Sequence, residues 1–82
     1  MKVFLVIKIS HGEIPVELDK NFAFDTQEKA RKKLNELYEE VLEDVEGYDI
    51  IDNYKSNDAF TVSIDDDEGS VYEGYVKEVE VQ

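Results

Sequence analysis

The chain has 82 residues, 41% hydrophobic and 37% charged, with 21 Asp and Glu, 9 Lys and Arg, a single His, no Cys and a net charge of −12. That length supports one core rather than two, the lack of cysteine excludes disulfides and thiolate chemistry, and the phosphates of nucleic acids and anionic lipid surfaces repel a chain of this sign. The charge is also sorted: Asn35 to Gln82 carries sixteen acids against Lys55 and Lys77, net −14, while Met1 to Leu34 carries five acids against seven bases, net +2.

Lys2 to Ser10 alternates, with Val3, Leu5, Ile7 and Ile9 on one face, and Ile14, Val16 and Leu18 alternate after His11-Gly12. A two-residue turn there predicts a hairpin that pairs Ile9 with Ile14, Ile7 with Val16 and Leu5 with Leu18. Pro15 lacks an N–H, which puts the second strand at an edge. A helix follows, capped by Asp25 with Glu28 three residues on in a capping-box arrangement. Ala30, Leu34, Leu37, Tyr38, Val41, Leu42 and Val45 then recur at helical spacing up to Gly47. Strands are expected at about residues 48–54, 59–64 and 71–81, with turns at Ser56-Asn57-Asp58 and at the acidic run. A bulge at Glu73-Gly74 would bring Tyr72 onto one face with Tyr75, Val79 and Val81. The order ββαβββ predicts one α+β domain over residues 1–82. It is a mostly antiparallel sheet of about five strands with one long amphipathic helix packed on one face. The longest apolar run, Val3 to Ile7, is far too short to span a bilayer, and no signal-peptide pattern follows Met1-Lys2, so a soluble, unprocessed cytoplasmic protein is expected.

The helix carries its charges against its own dipole. Lys29, Arg31, Lys32 and Lys33 stand in the first half, and Glu39, Glu40, Glu43, Asp44 and Glu46 towards the end. Misplaced terminal charges cost roughly 0.3–1 kcal/mol each. The like-charged pairs Glu36/Glu40, Glu39/Glu43 and Glu40/Asp44 add about 0.2–0.5 kcal/mol apiece, for a total on the order of 2 kcal/mol. Opposite the apolar stripe, Glu36, Glu39, Glu40 and Glu43 share one exposed face. Solubility explains the abundance of charge but not its sorting. The sorting points to an electronegative recognition surface of Glu36, Glu39, Glu40, Glu43, Asp44, Glu46, Asp49, Asp52, Asp65, Asp66, Asp67 and Glu68. Its expected partner is a basic protein, with the nucleic-acid cleft of a nucleic-acid-binding protein as the sharper case. In charge, size and lack of cysteine the chain resembles the small acidic DNA-mimic inhibitors of phages and mobile elements, a resemblance that carries no motif and transfers no residue roles.

Other constellations are weaker. Asp65-Asp66-Asp67-Glu68-Gly69 suggests a calcium loop, but counted from Asp65 an EF-hand needs glycine at position six and glutamate at twelve, and neither falls there. A solvated turn is the simpler reading. His11 beside Gly12 reads as a turn residue rather than a general base, and its neighbour Ser10 points to the other side of a strand. No phosphate loop, metal-ligand spacing or nucleophile elbow appears, so no catalytic residue, metal or cofactor is expected. Tyr48, Tyr54, Tyr72 and Tyr75 lie in the acidic half, and tyrosine favours protein interfaces. Phe4, Phe22, Phe24 and Phe60 supply the remaining aromatic core, although Phe4 and Val6 fall on the opposite face from Leu5, which leaves a dimer surface, a covered sheet face or scattered exposure open. The expectation is therefore a non-catalytic acidic interaction protein. The alternative is a structural or accessory module acting through self-association, its acidity serving solubility alone, and the sequence leaves monomer and homodimer open.

Overall fold

The computed structural model describes residues 1–11, 17–66 and 69–81, apart from the side chains of residues 11 and 17–21. The elements are β1 (Lys2–His11), β2 (Glu17–Phe24), α1 (Gln27–Asp44), β3 (Asp49–Lys55), β4 (Ala59–Asp65) and β5 (Val71–Glu80). The strands form one five-stranded sheet in the order β2-β1-β5-β4-β3, and every neighbouring pair is antiparallel. With α1 packed on one face, this is the expected α+β fold in the order ββαβββ. β2 lies at an edge, as expected, though Pro15 itself lies outside the described residues.

α1 forms where the apolar stripe recurs, and that stripe is its seat. Ala30, Leu34, Leu37, Val41 and Val45 are buried against Val6, Phe60, Val62 and Ile64, with Tyr38 and Leu42 at the margin. Burying the four larger stripe residues contributes at most about 6–12 kcal/mol. The charge penalty on the same helix is about 2 kcal/mol, so burial wins and the helix forms despite its electrostatics. The N-cap is Thr26, one residue later than expected: its backbone is extended, and its Oγ1 accepts a hydrogen bond from the Lys29 N–H at 3.3 Å. Asp25 instead accepts from Lys29 Nζ at 2.9 Å. Two good capping residues stand side by side here, and the choice of Thr26 puts Lys29, not Glu28, at the third helical position, so no capping box closes. At the other end Gly47 adopts a left-handed φ of 96° and ends the helical path, as its position implied.

The first hairpin departs from expectation. Its register pairs Phe4 with Phe24, Val6 with Phe22 and Ile9 with Leu18, with a shift between Lys8 and Ile9. The two-residue turn and the Ile9–Ile14 register are thereby overturned, and residues 12–16 lie outside the described residues. The physical reason lies in Phe22 and Phe24, which alternate at strand spacing and join Phe4 and Val6 on the helix side. That arrangement buries more aromatic area than the shorter hairpin offers. Phe4 and Val6 are thus the covered face, with Val6 fully buried. Val3, Leu5, Ile7 and Ile9 face away from the helix and remain half-buried on a side that no described element covers.

β5 pairs with β1 without interruption from His11↔Val71 to Lys2↔Glu80, so the expected bulge at Glu73-Gly74 is absent. Tyr72 stays on the helix side, and Tyr75 and Val79 on the open side. Gly74 serves packing instead: it lies opposite Phe60 in the β4–β5 register, and a Cβ placed there would collide with Phe60 Cε2 and lie 2.8 Å from Cζ and 2.9 Å from Cδ2. The ring of Phe60 occupies the space that a side chain at Gly74 would take. Its other side meets Tyr38, with ring centroids 5.5 Å apart and tilted by 58°.

Gly74→Ala should therefore lower stability by about 1–3 kcal/mol, as overpacking does in a filled core. Urea denaturation measures this. Combining it with Phe60→Leu should cost less than the sum of the two single changes, because the smaller side chain at 60 leaves room for the added methyl.

Candidate functional site

The chain runs from the end of α1 through Val45 to Tyr48 straight into β3, and Asp49 is the Cα partner of Asp65 at the end of β4. Asp44, Glu46, Asp49, Asp65 and Asp66 are therefore gathered at one end of the sheet. Glu36, Glu39, Glu40 and Glu43 line the outer face of α1 that leads to that end, and all are exposed. Asp52 lies further along β3 opposite Ser63, on the side away from the helix. The acids thus do not form one plane. They wrap an end of the molecule from the outer face of α1 to the open side of β3 and β4. Asp67 and Glu68 lie outside the described residues.

The carboxylates of Glu39, Glu43, Asp44, Glu46, Asp49, Asp52 and Asp65 make no hydrogen bond or ion pair among the described residues. Asp66 differs, because its carboxylate accepts from the Ser70 N–H at 2.9 Å and from the Ser70 hydroxyl at 2.7 Å, closing the turn between β4 and β5. Asp49 and Asp65 face each other across the ladder with like charge, which costs stability rather than adding to it.

The bases are disposed otherwise. Arg31 donates to both carboxylate oxygens of Asp58, from Nε at 2.8 Å and from the guanidinium NH2 at 3.1 Å, linking α1 to the β3–β4 turn. That fork holds the Asp58 carboxyl below its usual 3.8 and raises the Arg31 guanidinium. The hydrogen bond from Lys29 likewise lowers Asp25. Lys33 lies 3.6 Å from Glu36 and 4.5 Å above the Phe22 ring. Lys29, Arg31 and Lys33 are matched to partners that offset their unfavourable position on the dipole, whereas among the described residues Glu39, Glu43 and Asp44 towards its end are not.

Two features escaped the sequence reading. Lys8, in the middle of an apolar strand, is the one buried charged side chain among the described residues, with its ammonium 6.0 Å from the Tyr72 ring centroid. Strand alternation puts position 8 on the helix side together with Val6, and that was the available signal. The second is the apolar edge. β3 carries Ile50 and Ile51, 44% and 69% exposed, flanked by Tyr48 and Tyr54 at 54% and 55%. A register shift between Ile50 and Asp52 makes Ile51 an extra, bulged residue. That bulge, with Asp49 and Asp52, blunts the edge against strand addition.

A shallow open hollow at the start of α1 is lined by Phe24, Lys29, Lys32, Lys33 and Glu36. Among the described residues no cluster of His, Asp and Glu could hold a metal ion, and no helix is long and apolar enough to cross a membrane. No family model, curated protein or solved structure matches the chain.

Unpaired like charges predict that sodium chloride stabilises the fold against urea, because screening removes more repulsion than attraction. Asp65→Lys should itself raise stability by about 0.2–1 kcal/mol by converting the cross-strand repulsion with Asp49 into attraction. The pH dependence has a definite sign. Asp25 and Asp58 have folded pKa values below their unfolded ones, so their contribution is complete above about pH 4 and is lost as pH falls through the lowered values. An Asp25→Asn, Asp58→Asn double variant should show a flatter fall in urea midpoint below about pH 4 than the parent.

Proposed function

We propose that this chain is a non-catalytic interaction protein that presents its acidic end to a basic protein, of the kind whose cleft otherwise holds nucleic acid. The observation that carries this reading is the set of exposed carboxylates without partners, Glu39, Glu43, Asp44, Glu46, Asp49, Asp52 and Asp65, gathered at and beside one end. A protein that used acids only for solubility gains nothing from collecting them where they repel each other. A ligand of opposite charge converts that repulsion into binding energy and accelerates the encounter.

The shape supports insertion rather than flat docking. The acids occupy both sides of the end, the outer face of α1 and the open side of β3 and β4, so a cleft with basic walls would meet charge on each. Glutamates one helical turn apart rise about 5.4 Å per step. Together with the strand acids they offer a charge row comparable with the phosphates of a duplex, which carries one charge per about 1.7 Å of axis. The mechanism is competition, both steric and electrostatic, for the partner's cleft.

Charge reversal at Glu36, Glu39, Glu40 and Glu43 should abolish capture of the partner from a lysate of the source cells at low salt, while the circular-dichroism spectrum stays unchanged. The captured protein should then lose affinity for nucleic acid as the concentration of this chain is raised at fixed salt, as competition for one cleft requires. Equal capture by the parent and reversed proteins would refute the reading.

A further inference from the structure

β3 sets an apolar strip inside the acidic end. Seven large hydrophobic side chains are exposed among the described residues, and four of them, Tyr48, Ile50, Ile51 and Tyr54, fall within residues 48–54. Exposed apolar residues scattered singly need no account, but four on one edge strand mark a contact surface. Asp49 and Asp52 interrupt the run, and both carboxylates are exposed and without a partner among the described residues. Charge alone gains nothing from apolar neighbours, so the strip selects for something in the partner besides its sign.

The other rings of the chain show what that is. The Lys33 ammonium lies 4.5 Å from the Phe22 ring centroid, that of Lys55 5.9 Å from Tyr38 and that of Lys8 6.0 Å from Tyr72. Each of these rings already has a cation of the chain within about 6 Å, the range over which a ring face attracts one. Tyr48 and Tyr54 have none. Both side chains are more than half exposed and make no hydrogen bond, ring contact or cation contact among the described residues. Tyr54 is level with Thr61 and Asp52 with Ser63, so this open ring and this unpaired carboxylate share one side of β3. They stand about 7 Å apart along the strand. Tyr48 likewise directly precedes Asp49, where the chain enters β3.

We propose that β3 makes the acidic end selective for arginine, and that the basic partner meets it with an arginine-rich segment. This selectivity rests on the acidic end being the partner's site and specifies which cation that site takes. A guanidinium is planar, so it can stack on the Tyr54 ring and turn its fork of N–H donors to the Asp52 carboxylate in one pose. Arg31 makes such a fork to Asp58 within this chain. A lysine ammonium is a compact, strongly hydrated point charge that presents no plane to the ring. Tyr48 beside Asp49 repeats the pairing of ring and acid at the other end of the strip. Ile50 and Ile51, between the two pairs, offer apolar cover to the alkyl stems of the bound arginines, and a cation is drawn to a ring more strongly where water is excluded. The bulge at Ile51 keeps a partner strand from adding to this edge, so the contact is made through side chains.

Titration of the full chain with synthetic nona-arginine and nona-lysine peptides, followed by calorimetry at several sodium chloride concentrations, tests it. Both peptides should bind with an affinity that falls as salt rises, and nona-arginine should bind at least about tenfold more tightly. The double variant Tyr48→Ser, Tyr54→Thr should lose at least about fivefold in affinity for nona-arginine and less than about twofold for nona-lysine. The double variant Tyr48→Phe, Tyr54→Phe should keep the preference of the parent, because the ring face carries the contact and the hydroxyl does not. Circular dichroism should be unchanged in both variants, since both side chains are exposed. A parent that binds the two peptides equally, in a salt-dependent way, overturns the proposal and leaves the acidic reading standing. So does a Tyr48→Ser, Tyr54→Thr variant that keeps the preference, or one that loses affinity for both peptides alike. A parent that binds neither peptide, or binds both without regard to salt, overturns the acidic reading and this proposal with it.

Discussion

Everything else in this fold follows from the seating of one helical stripe, Leu34, Leu37, Val41 and Val45, on Val6, Phe60, Val62 and Ile64. A single helix over a single sheet leaves no second layer to share the burial, so the stripe must take the most apolar and best-shaped patch that the sheet offers. That patch includes the Phe60 ring, which lies across Gly74 because no Cβ is there to stop it. Once Phe60 is placed, the register of β4 on β5 and of β5 on β1 decides which side of every strand lies beneath the helix. Val6 goes under it, and Leu5 and Ile7 must face away.

That seating also explains how the molecule tolerates its charge. The burial term exceeds the helix's electrostatic penalty several-fold, so the outer face of α1 is free to carry residues that a marginal helix could not. The tolerance is local. In the first half of α1, where the chain turns in from β2 and meets the β3–β4 turn, Lys29, Arg31 and Lys33 are drawn into pairs with Asp25, Asp58 and Glu36. Towards the far end Glu39, Glu43 and Asp44 make no ion pair among the described residues and are left to solvent. Sorting along the sequence therefore becomes sorting in space: the strands and helix run so that the late helix, the start of β3 and the end of β4 share one end.

Much of this was legible beforehand. The helix, the three later strands, the turn at Ser56-Asn57-Asp58 and the exposed glutamate face all stand where residue spacing placed them, and the helix and β4 have a single apolar side that fixes their phase. β1 lacks that property. With apolar residues on both sides, period-two alternation admits two facings and several registers, and a short turn made the wrong one attractive. The deciding residues, Phe22 and Phe24, lie beyond the segment that seemed to form the second strand. The bulge at Gly74 failed for a related reason: it was invoked to collect tyrosines on one face, whereas a glycine in a strand can equally mark the close approach of a ring. The cap moved by one residue because Asp25 and Thr26 can both serve, and only the backbone geometry at Thr26 distinguishes them. The acidic set was legible as charge but not as shape, since its division between the outer face of α1 and the open side of β3 depends on the ladder.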